Sequence, residues 1–512
     1  MSQEYKINSC SLGGICGGCF YCNSPYEAQL YEKEERVKGL LDQAVSMNIG
    51  GAYEYNFEGI VSSPLLFAYR NKMEYSFGDC QKDGPLTLGL HKKKSFYDVI
   101  DVDCCELVHE DCNLIVRAAA SYFRELQLTY TDKRTHLGYL RYLIIRRAVN
   151  TGEMLIDLVT TSQPLIPVGR HADIYDVSLY APETFAVESR NADGIDAVAP
   201  GANADGVDAV APGANAGVVA NADARGIVAA GGRKKRGRGR GSNALGGLVI
   251  VPGKVAAAEG VKTLDEDEVL SGFTERLLNV AGGEGFEGRI RGILHTVNDA
   301  FADAVRNDGT TVLFGEDHIA EELLGLKFEI SPFSFFQTNS KGAEVLYSKV
   351  REYIADELNE DMSIFDLYSG TGTIAQLLAP CVREVTGVEI VPEAVDAARV
   401  NAAANGLDNC RFIADDVLAA LDSLPRPDAI ILDPPRDGVN AKALQKIIAY
   451  GVENMIYVSC KPESLARDLG MLQGAGYRLV KATAVDQFPW TNNVETVCLL
   501  SKLSGAKHSV DV

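Results

Sequence analysis

One cysteine and one carboxylate in the last third of the chain have the side chains that nucleophilic catalysis requires. Cys460 lies in the segment YVSCKP, directly after a run that we predict to be a strand. The carboxyl ends of strands carry the ligand-facing groups of open α/β sheets, so the thiol is expected at a site. Glu495 ends the segment DQFPWTNNVE and is a candidate general base if the chain folds back beside Cys460.

A glycine-rich turn and a series of acids predict a nucleotide-like cofactor beside that cysteine. The segment DLYSGTGT (366–373) follows a predicted strand and opens a helix. Glu389 ends the next strand, 17 residues after Gly372, where a carboxylate can accept hydrogen bonds from ribose hydroxyls. Asp416 and Asp433 follow the third and fourth strands. The dinucleotide fingerprint is incomplete, so the set favours S-adenosylmethionine over NAD.

The motif at Asp433 narrows the chemistry of methyl transfer. In amino-group methyltransferases a D/N-P-P motif is followed by an aromatic residue that stacks on the base, but here Arg436 stands in that place. N-methylation is therefore disfavoured. C5 of uracil becomes nucleophilic once a thiolate adds to C6, and a base must afterwards remove the C5 proton. One cysteine, one carboxylate and one methyl donor are the minimum set for that reaction.

Cysteines near the amino terminus form a second candidate site. Cys10, Cys16 and Cys19 are spaced C-x5-C-G-G-C, and the glycines allow the backbone to wrap a metal centre closely. A fourth thiolate could come from four other cysteines: Cys22, Cys104, Cys105 or Cys112. Four thiolates suit either zinc or a [4Fe–4S] cluster. The chain has 12 cysteines and no apparent export signal, so a reducing cytoplasm is expected rather than a disulfide scaffold.

Predicted elements divide the chain into three parts. Residues 335–505 alternate strand and helix patterns and predict an α/β domain with a mainly parallel sheet. Residues 126–334 hold strand patterns of a central domain, and residues 1–125 hold the cysteines, a helix from Tyr26 to Asn48 and short strands. A low-complexity insertion spans about 190–260, with a 12-residue repeat and a basic tract that could contact RNA.

Charge and hydropathy exclude several classes of protein. With 49 Lys plus Arg against 70 Asp plus Glu, the net charge is −21, so a globally basic nucleic-acid coat protein is excluded. No apolar run is long enough for a membrane span. Local basic segments remain compatible with RNA binding: residues 69–72 and 91–94 lie near Phe67, Tyr75 and Phe96, aromatics on which unpaired bases could stack.

Taken together, these motifs resemble the RNA 5-methyluridine methyltransferases, specifically their iron–sulfur ribosomal RNA branch. The matching segments are SPFSFFQTN (331–339), DLYSGTG (366–372), VEI (388–390), DPPRDG (433–438), SCKPESLARDL (459–469) and DQFPWTNNVE (486–495). The resemblance implies a C-terminal Rossmann-like class I methyltransferase domain, a central α/β domain and an N-terminal iron–sulfur domain. The chain departs from the family at Ser369, where Cys is common, and at Asn493, where His is common.

The resemblance also assigns roles to residues. Cys460 is implied as the nucleophile and Glu495 as the proton acceptor. The methyl donor is implied to contact Gln337, Tyr368, Glu389, Asp433 and Asp416. The [4Fe–4S] ligands are implied to be Cys10, Cys16, Cys19 and Cys105, with Cys104 as the competitor for the fourth position.

The expected activity is S-adenosylmethionine-dependent methylation of uracil C5 in 23S rRNA through a covalent Cys–C6 adduct. One alternative is methylation of the tRNA T-loop uridine, but the resembling tRNA enzymes generally lack the cysteine motif. Another is a non-catalytic iron–sulfur RNA-binding or ribosome-assembly factor, which an intact pair of Cys460 and Glu495 disfavours. We expect a cytoplasmic protein and favour a monomer.

Overall fold

The computed structural model describes residues 7–48, 51–82, 84–166, 263–301, 305–357 and 361–502. The predicted insertion at about 190–260, with its repeat and basic tract, lies outside the described residues. Within the described part of the chain, no helix combines the length and the apolar character needed to cross a membrane.

The carboxyl-terminal half builds an eight-stranded sheet whose centre is parallel. In spatial order its strands are β1 (Asn56–Val61), β16 (Tyr477–Val485), β17 (Glu495–Lys502), β15 (Asn454–Ser459), β14 (Ala429–Leu432), β11 (Ser363–Leu367), β12 (Glu384–Glu389) and β13 (Cys410–Ala414). The five strands predicted in this region, which end near the glycine-rich turn, Glu389, Asp416, Asp433 and Cys460, correspond to β11 to β15. Their sequences are apolar because both faces of the sheet are covered. The order of strands, which reverses beside β11, gives the crevice where such sheets bind ligands.

Two layers of helices cover this sheet. The helices on one face are α4 (Ser340–Glu357), α5 (Thr373–Leu378) and α6 (Pro392–Ala404). The helices on the other face are α1 (Tyr26–Ser46), α7 (Val417–Ser423), α8 (Ala441–Tyr450) and α9 (Pro462–Gly474). Each layer has its own apolar core against the sheet, which is the arrangement expected of a doubly wound α/β fold.

The amino-terminal segment contributes to the same sheet. Strand β1 pairs in parallel with β16, and Val37 and Leu41 of α1 are fully buried in one of its two cores. Residues that follow the first cysteines in the chain therefore pack against the carboxyl-terminal sheet. The domain boundaries at about 125 and 334 stay predictions.

A second sheet of seven strands carries the central region. Its order is β4 (Val99–Asp101), β3 (Leu86–His91), β2 (Lys72–Asp79), β5 (Leu140–Arg147), β6 (Glu153–Thr160), β7 (Arg289–Val297) and β8 (Thr310–Gly315). Helices α2 (Glu110–Glu125) and α3 (Glu266–Ala281) pack on one face through buried apolar side chains. A two-stranded hairpin, β9 (Ile319–Leu323) and β10 (Leu326–Ile330), links this sheet to α4.

Candidate active site

One large cavity, about 2210 Å³ in volume, opens at the carboxyl ends of the parallel strands. The residues implied for catalysis, for the methyl donor and for the metal cluster all line it. These residues are Cys460, Glu495, Gln337, Tyr368, Glu389, Asp416, Asp433, Cys10, Cys16, Cys19 and Cys105. The fold thus brings together side chains that lie more than 450 residues apart in the chain.

Cys460 and Glu495 are brought together by strand register. Strand β15 ends at Ser459, and β17, which begins at Glu495, runs antiparallel to it with Ser459 opposite Thr496. The next position along this ladder sets Cys460 beside Glu495. The turn at Cys460 is held by the Ser459 hydroxyl, which donates to the Lys461 carbonyl and accepts from the Lys461 amide.

Burial raises the pKa of both groups. The Glu495 side chain is only 3% exposed, and burial with the nearby charge of Asp433 raises its pKa to about 8. Burial likewise raises the pKa of the Cys460 thiol to about 12, and the charge of Glu495 adds to the shift. The guanidinium of Arg436 opposes both shifts. Arg436 belongs to the DPPRDG motif, but sequence pattern alone does not reveal this electrostatic effect.

These pKa shifts predict a pH dependence of methyl transfer. Raised pKa values mean that the reactive carboxylate and thiolate forms become populated only as pH rises, so kcat/KM should increase through about pH 8, the pKa of Glu495. Arg436→Gln should move the rise to higher pH, since it removes the charge that favours ionisation. Lys442→Gln, a cation on the same cavity lining, should leave the profile in place. A wild-type profile that falls between neutral pH and pH 8 would contradict this assignment.

The turn between β11 and α5 forms the opposite end of the cavity. Tyr368, Gly370 and Gly372 all have positive φ (68°, 53° and 72°), and a Cβ on Gly372 would lie 2.4 Å from the Phe412 ring. Glu389 holds this turn through both carboxylate oxygens, which accept from the amides of Gly370 and Val391 at 3.0 Å. The predicted acid at the second strand end therefore shapes the loop and also faces the cavity.

Two polar side chains at this turn, one in β11 and one in the loop, each have an atom with no hydrogen-bond partner among the described residues. Asp366 is fully buried and accepts from the Ala375 amide with one oxygen, while its other oxygen has no hydrogen-bond partner. The Ser369 hydroxyl is also unsatisfied. Buried polar groups normally find partners, so these atoms fit a polar ligand at the cavity wall. Asp366 was part of the motif but was not predicted as a site residue.

Further polar side chains line the same cavity. Asp416 is exposed at the cavity and caps α7 with one oxygen, which accepts from the Leu418 amide at 2.9 Å. The side-chain oxygen of Gln337 accepts from Gln487 at 2.8 Å. Tyr347, a buried residue in the middle of α4, also lines the cavity. Tyr347 belongs to no recognisable motif, so sequence analysis could not have found it.

The loop that leads to Glu495 is anchored by α1. Asp486 is fully buried and accepts from Lys33 Nζ at 2.6 Å and from the Tyr26 hydroxyl at 2.8 Å. Trp490, also fully buried, has φ of 67° and donates from its indole to the Leu66 carbonyl at 2.7 Å. The main-chain amide of Trp490 donates to Gln29 of α1. These bonds set the direction from which the chain enters β17.

We expect Lys33→Met to destabilise the protein strongly. Both side chains of the Lys33–Asp486 pair are inaccessible to solvent, and removing one member leaves a buried charge uncompensated, at a cost of about 3–5 kcal/mol. Urea unfolding followed by circular dichroism measures the loss. Lys38→Met is the matched control, because Lys38 lies on the same helix in an exposed pair with Asp42. Similar losses in both variants would contradict the assignment.

The cysteine segment is bonded to the same loop. The amides of Phe20 and Tyr21 donate to the Trp490 carbonyl at 2.7 and 3.0 Å. The backbones of Cys16 and Lys92 pair as an isolated antiparallel β-bridge. A Cβ on Gly17 would lie 3.0 Å from the His91 carbonyl oxygen. The glycines of the motif thus permit close contact between the cysteine segment and the turn after β3.

The two candidates for the fourth thiol differ in their surroundings. Cys105 lines the cavity, and its backbone is clamped by the Asn113 side chain, which accepts from its amide and donates to its carbonyl. Cys104 is exposed and contacts Ser11 at 3.8 Å. Among the described residues, no three His, Cys, Asp or Glu side chains form a group that could hold a metal ion.

The expected aromatic partners of RNA are only partly available. Tyr75 is fully buried in the core under the seven-stranded sheet, so its prediction as a stacking surface was wrong. Phe67 stacks on Trp490 with ring centroids 5.4 Å apart. Phe96 is 60% exposed. Tyr75 lies in β2, whereas Phe67 and Phe96 lie outside the strands, so nearness to basic residues in the sequence did not show which rings face solvent.

Comparison with known proteins identifies the family. Residues 302–503 match the model of the tRNA (Uracil-5-)-methyltransferase family. An RNA methyltransferase of Caldanaerobacter subterraneus is 39% identical over 98% of this chain and 86% of its own length. Another, of Clostridium acetobutylicum, is 37% identical over 96% of this chain and 83% of its own length. The chain belongs to the RNA uracil-5-methyltransferase family.

A solved structure supports the fold of this RNA uracil-5-methyltransferase. The tRNA (uracil-54, C5)-methyltransferase of Pyrococcus abyssi, in complex with S-adenosyl-L-homocysteine, aligns with 93% of this chain and 84% of its own, with a TM-score of 0.58 and 22% identity. The expected class I methyltransferase fold is therefore confirmed. The protein is an S-adenosylmethionine-dependent RNA methyltransferase, and its cavity lies at the strand ends where that fold binds its ligands.

Proposed function

We propose that this methyltransferase transfers a methyl group to C5 of a uridine in 23S rRNA through a covalent bond between Cys460 and C6 of the uracil. The observation that carries the proposal is the pairing of β15 with β17, which sets Cys460 and Glu495 side by side in a cavity at the strand ends. A nucleophile and a base within one buried site are what this reaction needs.

The proposed reaction assigns one step to each group. The Cys460 thiol releases its proton to solvent, and the thiolate sulfur bonds to C6, which moves electron density toward C5. C5 then takes the methyl group, and the donor leaves as S-adenosylhomocysteine. Glu495 removes the remaining C5 proton, the C5–C6 double bond re-forms, and the Cys460–C6 bond breaks. The target uridine must leave its base stack to reach these groups.

The proposed donor site is the end of the cavity near the β11–α5 turn. When bound, S-adenosylmethionine supplies an electrophilic methyl group on a positively charged sulfur. Glu389, Tyr368 and Asp416 are proposed to hold its nucleoside, and Gln337 and Asp433 to contact the donor nearer the reacting atoms. Asp433, whose pKa burial raises to about 7, is also proposed to help recognise the uracil.

We further propose that Cys10, Cys16, Cys19 and Cys105 bind a [4Fe–4S] cluster. The four thiols line one cavity, the Gly18 amide donates to Cys16 Sγ at 3.3 Å, and Asn8 donates to Cys19 Sγ at 3.8 Å. Hydrogen bonds to sulfur are typical of cluster ligands. In a cube each cysteine binds a different iron, so the four need not converge as they would on one ion. These contacts support the proposed cluster, whose role is proposed to be structural or RNA-contacting.

Substituting the two adjacent cysteines tests the fourth ligand. Cys105→Ser should lower the iron content of anaerobically purified protein and its brown absorbance, because it removes a thiolate from the half-buried position that lines the cavity. Cys104→Ser, the matched control one residue away on the exposed side, should retain both. Retention of iron in Cys105→Ser with loss in Cys104→Ser would reverse the assignment. Zinc without iron in the wild type would reject the cluster.

The choice of 23S rRNA depends on the cysteine motif, since the tRNA enzymes that this chain resembles generally lack it. The test is to map 5-methyluridine by mass spectrometry in 23S rRNA and tRNA from cells with and without the gene. Loss at one or two rRNA positions would support the proposal and identify the target. Loss in tRNA alone would keep the chemistry and change the substrate. No loss in either RNA would contradict the proposed substrate. A ribosomal substrate would also agree with the predicted cytoplasmic location.

A further inference from the structure

An unusual group of exposed aromatic rings lies beside the cysteine segment. Phe20, Phe96 and Tyr97 are 58%, 60% and 55% exposed. Phe96 and Tyr97 contact each other edge to face at 5.4 Å, and the His91 ring lies parallel to Phe96 at 6.4 Å. Exposed rings that contact one another, as Phe96 and Tyr97 do, indicate an interaction site.

Each of these rings is paired with a cation. Lys133 Nζ lies 4.5 Å from the centre of the Phe96 ring, the Arg134 guanidinium 5.7 Å from Tyr97, and Lys93 Nζ 5.6 Å from Phe20. Arg134 also pairs with Asp132 at 3.3 Å, which leaves other N–H groups of its guanidinium for a second partner. We call these three rings and three cations the aromatic patch.

The charge of the aromatic patch contrasts with that of the whole chain. The net charge of the protein is −21, yet cations gather here, with Lys92 and Lys94 beside the three already named. A basic local surface on an acidic protein favours a polyanionic partner. Flat exposed rings add a preference for bases whose faces are open to stacking.

Part of the aromatic patch lines the active-site cavity. Phe20, Lys93 and Lys94 line the same cavity as Cys460. The Lys93 amide donates to the Ile15 carbonyl at 2.7 Å, so the turn that carries Phe96 is fastened to the cysteine segment. An RNA strand whose uridine reaches Cys460 can therefore extend onto these rings.

We propose that the aromatic patch binds single-stranded RNA next to the target uridine, with its rings stacked on unpaired bases and its cations against phosphates. The proposal rests on the proposed function for its site but names a different set of residues. Duplex RNA is not expected to bind the aromatic patch in this way, because the faces of paired bases are covered by their neighbours in the helix. Phe96 and Tyr97 are the principal stacking groups, since both are exposed and in contact with each other.

Fluorescence anisotropy with a labelled oligouridine tests this surface in the full-length protein. Phe96→Ala with Tyr97→Ala should weaken binding by about 10-fold or more, because each lost stack lowers the affinity substantially. Phe96→Tyr keeps a ring and should bind like the wild type. Tyr31→Ala is the matched control, an aromatic that is 66% exposed on α1 outside the aromatic patch. Binding of S-adenosylhomocysteine, followed by calorimetry, shows that each variant is folded.

Three outcomes would overturn the proposal. The first is wild-type protein that does not bind oligouridine, and the second is a double variant that binds as tightly as wild type. The third is an equal loss of binding to a blunt RNA duplex, which would indicate general electrostatic attraction. The assay contains no methyl-transfer step, so an error in the assigned nucleophile leaves the readout intact. Conversely, failure of the stacking proposal does not affect the proposed covalent bond at Cys460, which a separate experiment tests.

Discussion

Cys460→Ala is expected to abolish methyl transfer, by about 10⁴-fold or more, while RNA binding and the fold are retained. The reason is chemical, since without sulfur addition at C6 the C5 carbon is too poor a nucleophile to attack the methyl donor. Alanine fills the space of the cysteine Cβ, so the turn after β15, held by Ser459 and Lys461, should persist. Incorporation of labelled methyl groups into RNA measures the loss, and filter binding measures RNA affinity.

The control for this variant is another cysteine of the same sheet. Cys498 lies in β17, is fully buried and belongs to the apolar core rather than to the cavity lining. Cys498→Ala should therefore keep methyl transfer near the wild-type rate, even if the protein is less stable. Turnover in Cys460→Ala close to that of the wild type would reject the covalent mechanism.

Glu495→Gln is expected to trap the covalent intermediate between protein and RNA. The amide keeps the shape of the side chain but cannot accept the C5 proton, so the adduct forms and does not eliminate. A band of protein joined to RNA should appear on a denaturing gel when S-adenosylmethionine is present. The band should be absent from the Cys460→Ala/Glu495→Gln double variant, because the bond is to Cys460.

A matched carboxylate distinguishes this effect from a general change of charge. Glu453 is exposed just before β15, and Glu453→Gln should neither trap an adduct nor slow the reaction. Glu495→Gln should also raise the thermal stability above pH 8. A folded-state pKa of about 8, against an ordinary 4.5, means that the folded protein loses stability as pH rises through that interval. A variant with neither an adduct nor a rate loss would show that Glu495 is not the base.

Sequence pattern was sufficient to predict the strands and helices of the carboxyl-terminal half, and to predict which strand ends hold the candidate site residues. The apolar runs of β11 to β15 are short and separated by helical patterns, and the carboxyl ends of parallel strands must lie at one edge of a sheet. Glu389 and Asp433 could therefore be expected on the same side of the molecule. The motifs also pointed correctly to the RNA uracil-5-methyltransferase family.

Long-range packing decided what the spacing of residues left open. The pairing of β17 with β15 runs antiparallel to the central strands, so the proximity of Glu495 to Cys460 depends on a register that no local pattern encodes. Parallel addition of β1 to the sheet and burial of Lys33 against Asp486 likewise join residues more than 400 positions apart. Such contacts arise from the three-dimensional fit of the elements.

Long-range packing also decided which predictions for single residues agreed with the structure. The resemblance implied Cys105 as the fourth ligand with Cys104 as its competitor, and of these two only Cys105 lines the cavity. Tyr75 and Phe96 both stand near basic residues, yet Tyr75 faces a core and Phe96 faces solvent. Sequence indicates which side chains are chemically able to act. Their burial and the direction in which they point depend on the elements packed around them, and only the tertiary structure determines that packing.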